Sequence, residues 1–229
     1  GAFGTSVAYD AYTAADGLSE LLVTTLAAGT LAYAFVPIYI DLLKRVDYAE
    51  SNRLVSQVIN SIALAASIIA VICALFAPLV AQWIAPGFSP DAQHILAQTL
   101  QILLISTVVF SISSIVSQTL HAHQHFWLPA IAPIAYHSGI IFGAIVLSPF
   151  LGIFGLAWGA VIGSILHLAS QLPALWMRHV RWHFVLNFND PRLRQIFWLM
   201  TPRIFDLMMA RASITFLNTY FGSFLSAGR

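Results

Sequence analysis

Helix-length apolar stretches follow one another along this chain with only short polar breaks, and its rare charges fall partly inside those stretches. Such a chain folds in a lipid bilayer. Only 8% of the residues are charged and 59% are hydrophobic, against about 25% charged in a soluble domain. The 229 residues suffice for about six or seven spans of roughly 20 residues each. The expected fold is all-α, a polytopic transmembrane bundle with six helices visible. Net charge is +1, and no basic run or aromatic–basic alternation marks a nucleic-acid surface. The chain lacks an initial Met and stops just after an apolar helix, so it reads as an internal fragment of a longer protein. Cys73 is the single cysteine and reads as a small hydrophobe.

The six helices are expected at about Ser6–Leu43, Leu54–Ala85, Asp91–Leu120, Pro129–Leu151, Phe154–Met177 and Asp190–Phe224. Pro86-Gly87 break the chain, and Ser89-Pro90-Asp91 offer a helix cap. Lys44, Arg45, Arg53, Arg178, Arg181, Arg192 and Arg194 cluster at alternate connections, with His121, His123 and His125 on the remaining turn of that side. The positive-inside rule puts this side in the cytoplasm. The first helix then runs from outside to inside. Trp83, Trp127, Trp158, Trp176 and Trp198 lie near span ends, where indoles favour the interface. Gly139, Gly143, Gly155, Gly159 and Gly163 form rows of small residues that let helices four and five approach closely. Pro37, Pro78, Pro133, Pro173 and Pro202 fall inside spans and each can bend its helix.

A charge in a membrane helix costs roughly 2.5–3.5 kcal/mol on insertion scales, so it marks a task. The first helix carries Asp10, Asp16 and Glu20. Asp16 and Glu20 share a face, with Asp10 roughly 80–120° around. The sixth carries Arg203, Asp206 and Arg211. Arg203 and Asp206 can pair at i,i+3. The arginines either neutralise the carboxylates of the first helix or present guanidinium donors to an anionic ligand such as a phosphate. His121, His123, His125, His137 and His167 lack a converging ligand pattern. No nucleophile–base pair, Gly-rich phosphate loop or zinc spacing is present, so the reading is no enzyme, no metal and no cofactor.

Several segments, in order, resemble the MurJ-type (MviN) lipid II flippases. They are Gly29–Tyr39 (GTLAYAFVPIY), Pro86-Gly87-Phe88, His123–His137 (HQHFWLPAIAPIAYH), Gly155–Gly163 (GLAWGAVIG), Gln171-Leu172-Pro173, Met200-Thr201-Pro202, Leu217-Asn218-Thr219 and Ser223-Phe224-Leu225. The resemblance implies helices two to seven of about fourteen. Residues 1–229 would then be a partial N-terminal transmembrane lobe, one of two lobes around a central cavity working by alternating access. It also implies a bacterial plasma-membrane location and an undecaprenyl-diphosphate-linked peptidoglycan precursor moved to the outer leaflet. The implied partners are this precursor, membrane lipid and a coupling cation. Asp10 matches the family's acidic position and Gly29 its glycine. Val23 stands where the family has a cavity arginine, Glu20 where it has Asn, Ala28 where it has Glu, His125 where it has Arg and His137 where it has Asn. Arg211 stands where many members carry an uncharged polar residue. The expected substrate or cavity residues are Asp10, Asp16, Glu20, Gly29, Arg203, Arg211 and Asn218, with Asp206 for a coupling cation. Two rival readings are a cation-coupled exporter of drugs or of another polyprenyl-linked glycan, and a non-transporting scaffold for cell-wall enzymes.

Overall fold

Helix boundaries here follow capping chemistry and proline placement. The computed structural model describes residues 7–25 and 30–224; the side chains at 30–33, 203, 207, 208, 211, 212 and 214–216 lie outside that description. The helices are α1 (Val7–Val23), α2 (Thr30–Lys44), α3 (Tyr48–Leu75), α4 (Ala77–Ile84), α5 (Pro90–Ala122), α6 (Trp127–Phe142), α7 (Ser148–Leu151), α8 (Phe154–Met177) and α9 (Pro191–Gly222). Three N-caps use side-chain oxygens to satisfy free helix donors. Asp47 accepts from Glu50 N at 3.1 Å, Ser89 from Ala92 N at 3.3 Å, and Asp190 from Arg192 N at 2.9 Å.

Two expected helices are interrupted. The first expected helix is described as α1 and α2, with a π-type turn at Thr24–Thr25 and residues 26–29 outside the described set. The second stops at Leu75 and restarts as α4, because Pro78 lies in the first turn of α4 and cannot donate into the preceding turn. The fourth carries a π-helical turn at Gly143–Leu147 before α7; Ser148 Oγ donates to Gly143 O there at 3.0 Å. Pro37, Pro133, Pro173 and Pro202 do sit inside helices α2, α6, α8 and α9.

Helix α5 is the central post and packs on α1, α3 and α8. Its 33 residues span about 50 Å at 1.5 Å per residue, longer than the roughly 30 Å hydrocarbon core. Buried side chains run all round it, including Leu96, Leu100, Leu103, Ser111, Ile115 and Leu120. Two apolar clusters stack along it. One joins α1, α4 and the first half of α5 to α8 through Ala15, Ala77, Leu96, Leu103 and Ala157. The other joins α2, α3, the end of α5 and the start of α9 through Phe35, Tyr39, Val58, Ile115 and Ile196. Cys73 packs at the margin of the first cluster.

Helix α6 lies along α8, and the glycine rows make that contact. A Cβ on Gly139 would overlap the backbone of Gly163, and one on Gly143 would overlap Gly155 and Gly159. The large side chains Trp83, Trp127, Trp158, Trp176 and Trp198 are all exposed on the bundle surface, as an aromatic belt requires.

Gly87, in the α4–α5 connection, donates its N–H to Ser223 Oγ at 3.0 Å. The end of α9 and the α4–α5 loop therefore share one side, the one that the positive-inside rule puts outside. At the inner side, three helices end in one motif. Val46, Gln124 and His179 each take a positive φ, at 58°, 56° and 57°. Asp47 N then bonds Leu42 O at 3.4 Å, His125 N bonds Leu120 O at 2.9 Å, and Val180 N bonds Leu175 O at 3.0 Å. This left-handed cap is normally filled by Gly or Asn. At Val46, a β-branched and exposed residue, it costs about 1–2 kcal/mol. Val46→Gly is therefore expected to raise the thermal midpoint of the purified full-length protein by a few degrees; a lowered midpoint would show that this turn is unstrained.

The connection from α8 to α9 is pinned along α3 by three residues spaced four apart. Asn52 Nδ2 donates to His179 O at 3.3 Å. Ser56 Oγ accepts from His183 N at 3.0 Å. Asn60 Nδ2 donates to His183 O at 3.1 Å and Val185 O at 2.9 Å, and its Oδ1 accepts from Trp182 Nε1 at 3.0 Å.

Candidate functional site

Helix α1 carries its carboxylates into two separate pockets. Asp16 and Glu20 line one of about 300 Å³, with Ser19 and Val23 of α1, Ser106 and Phe110 of α5, and Tyr136 and His137 of α6. Ser19 Oγ lies 2.8 Å from Thr107 Oγ1 and fixes α1 against α5. Asp16 is half-buried and Glu20 exposed. Among the described residues no Lys or Arg lines this pocket, and Asp16 makes no ion pair. Two carboxylates on one wall, facing hydroxyl, phenol and imidazole groups, make a cation-attracting surface.

Asp10 is elsewhere. It lines a pocket of about 240 Å³ near the outer side, with Thr13 and Ala14 of α1, Phe88 of the α4–α5 loop, and Asn218, Thr219, Gly222 and Ser223 of α9. The structure thus brings Asp10 and Asn218 together, and Asp16 and Glu20 together, but does not join the two pairs. Asp206 is exposed on α9. Arg203 and Arg211 lie on the same helix, and their side chains are outside the described set; so is Gly29.

Behind the pocket lies a polar network that the sequence reading missed. Phe110 packs edge-on against Tyr136, with ring centroids 4.8 Å apart, and tilted at 35° against His167, with centroids 4.6 Å apart. His167 Nδ1 is 2.7 Å from Ser113 Oγ. Gln171 Nε2 donates to Ser113 Oγ at 2.9 Å, and Ser117 Oγ donates to Gln171 Oε1 at 2.7 Å. Since Ser113 Oγ accepts from Gln171, its own proton is available to His167 Nδ1, which leaves the ring proton on Nε2. The Ser113, Ser117 and Gln171 side chains and His167 Nδ1 are hydrogen-bonded to one another, which ties α5 to α8. The signal was two i,i+4 pairs, Ser113/Ser117 and His167/Gln171, on apolar helices.

The histidine row of the inner turn has separate structural uses. Tyr39 Oη and His123 Nε2 are 2.9 Å apart, and His121 stacks on Phe126 with centroids 5.6 Å apart. Burial, and secondarily the positive charge of Arg178, hold His123 below the ordinary imidazole range. Among the described residues no cluster of three His, Cys, Asp or Glu could hold a metal ion.

The family model described as "Lipid II flippase MurJ" matches residues 1–229. The chain belongs to this family. It is 28% identical over 235 residues to the lipid II flippase MurJ of Burkholderia cenocepacia, covering 99% of this chain and 45% of that protein. It is 26% identical over 230 residues to the probable lipid II flippase MurJ of Buchnera aphidicola subsp. Acyrthosiphon pisum, with coverage of 99% and 45%. A solved structure titled "Lipid II flippase MurJ, inward closed conformation" superposes with a TM-score of 0.78 at 24% identity, over 97% of this chain and 46% of that one. The chain therefore spans a little under half the length of these relatives. The family is one of transporters, and with four helical segments among the described residues long and apolar enough to cross a bilayer the chain is a multi-pass membrane protein. Val23 lines the same pocket as Asp16 and Glu20.

Proposed function

We propose that this chain is most of the N-terminal lobe of a lipid II flippase in the bacterial plasma membrane. The protein would move an undecaprenyl-diphosphate-linked peptidoglycan precursor from the inner to the outer leaflet by alternating access. The observation that carries this reading is the family match over the whole chain. The α1 pocket fits it, since a transporter keeps charge in the bilayer only on a substrate or ion path. In this reading Arg203 and Arg211 of α9 meet the diphosphate or sugar groups. Asp16 and Glu20 either bind a coupling cation or meet arginines of the other helices, and Asp206 joins a cation site. Asp10 and Asn218 line the outer part of the path, and Gly29 belongs to the same path.

A second reading keeps the architecture and changes the cargo to another polyprenyl-linked glycan, or a drug, exported with a cation. The pocket's two carboxylates, without Lys or Arg among the described residues, favour it. Complementation separates the two. The full-length gene is expected to restore growth to bacteria depleted of their own lipid II flippase. Failure to do so, at verified expression, would favour the second reading. A non-transporting scaffold would neither rescue nor bind the lipid-linked precursor.

A further inference from the structure

The inner side of the bundle holds a cavity of about 680 Å³ between the first turn of α3 and the end of α8. Tyr48 and Asn52 form one wall, His123 closes the side, and Met177, Arg178 and Arg181 form the other. The arginines are set by fixed backbone. Arg178 is the C-cap of α8, and the residues that follow are bonded to α3 through Asn52, Ser56 and Asn60.

The acidic groups of this side are committed elsewhere. Asp41 pairs with Arg45 at 2.7 Å, and Glu50 with Arg192 at 2.8 Å and Arg53 at 3.7 Å. Asp47 and Asp190 cap α3 and α9. Among the described residues, Arg178 and Arg181 have no carboxylate within ion-pair distance. Two guanidinium groups bordering one cavity, with no anion supplied by the described residues, match the oxygens of a phosphate. Apolar side chains adjoin them. Trp176 is 75% exposed, Met177 72% and Phe184 76%. Cationic donors beside exposed apolar surface at the cytoplasmic side suit an amphiphile with an anionic head.

We propose that this cavity binds the phosphate headgroup of an anionic phospholipid of the inner leaflet, with Arg178 and Arg181 as its donors. The site lies at the inner end of α3 and α8, apart from the α1 pockets, and its occupation does not depend on the transported cargo. The test is native mass spectrometry of the purified full-length protein titrated with phosphatidylglycerol or phosphatidylcholine. Phosphatidylglycerol is expected to bind at least tenfold more tightly, and Arg178→Gln with Arg181→Gln to abolish that preference. Arg45→Gln, which removes a charge paired to Asp41 on the same side, is expected to keep it. Both target arginines are exposed, and Arg181→Gln alone, read beside an unchanged thermal midpoint in detergent, guards against misfolding of the double variant. Equal binding of the two lipids, or a preference that survives the double substitution, overturns the proposal. Displacement of phosphatidylglycerol by millimolar inorganic phosphate would assign the site to free phosphate and overturn the lipid assignment; retention of the lipid supports it.

Discussion

Replacing Gly159 by leucine is expected to leave little folded protein in the membrane. A Cβ at this position already falls 2.9 Å from both Gly139 O and Gly143 Cα. These are backbone atoms of the facing helix and cannot rotate away. In lipid there is no hydrophobic drive to hold α6 on α8, because the acyl chains are as apolar as leucine; close van der Waals contact does that work. Overpacking a filled core costs about 1–3 kcal/mol even where side chains can move, and here the helices themselves must separate. Helix α6 makes its broadest contact with α8, so its loss frees α6 and opens the wall that Tyr136 and His137 give to the α1 pocket. Gly159→Ala should show a milder form of the same defect. The measurement is monodisperse yield by fluorescence-detected size exclusion of the full-length protein. Yield equal to the parent would mean that α6 and α8 do not pack at this distance.

Asp16→Asn together with Glu20→Gln is expected to reduce rescue of flippase-depleted cells by at least about tenfold, equivalent to 1.4 kcal/mol, while folded yield stays near that of the parent. The amides keep the shape of the side chains and remove only the charge. Asp16 makes no ion pair among the described residues, so the loss falls on whatever cation or arginine the pocket meets during transport. Undiminished rescue would remove the α1 carboxylates from the mechanism. Asp10→Asn separates the two pockets, since Asp10 faces Asn218 rather than Asp16.

Much of the architecture was readable from local chemistry. Helix α8 runs from Phe154 to Met177 as expected, because Gly152 and Gly155 mark its start and Arg178 its end. Ser89 caps α5 from the position its Ser-Pro-Asp context suggests. The glycine rows identified their own partner helices. The interruptions were harder to read. Apolarity continues through Phe76, so α3 and α4 read as one span despite Pro78. Helical periodicity gave the angle between Asp10 and Asp16 but not their neighbours, which come from α9 in one case and α6 in the other. The His167 network joins residues 54 apart, Ser113 with His167, and no single-helix pattern announces such a pairing. The ladder of Asn52, Ser56 and Asn60 was invisible for the same reason, since its acceptors and donors lie more than 120 residues away on an irregular segment.

The protein carrying this lobe is proposed to move lipid II across the bilayer. The most direct test reconstitutes the full-length protein in liposomes with fluorescent lipid II, using a membrane-impermeant quencher to report the exposed leaflet. Exchange of lipid II between leaflets well above protein-free liposomes is expected, and its loss in the Asp16→Asn, Glu20→Gln variant. Lipid II that stays in its starting leaflet, while another polyprenyl-linked glycan is exchanged by the same preparation, would contradict it.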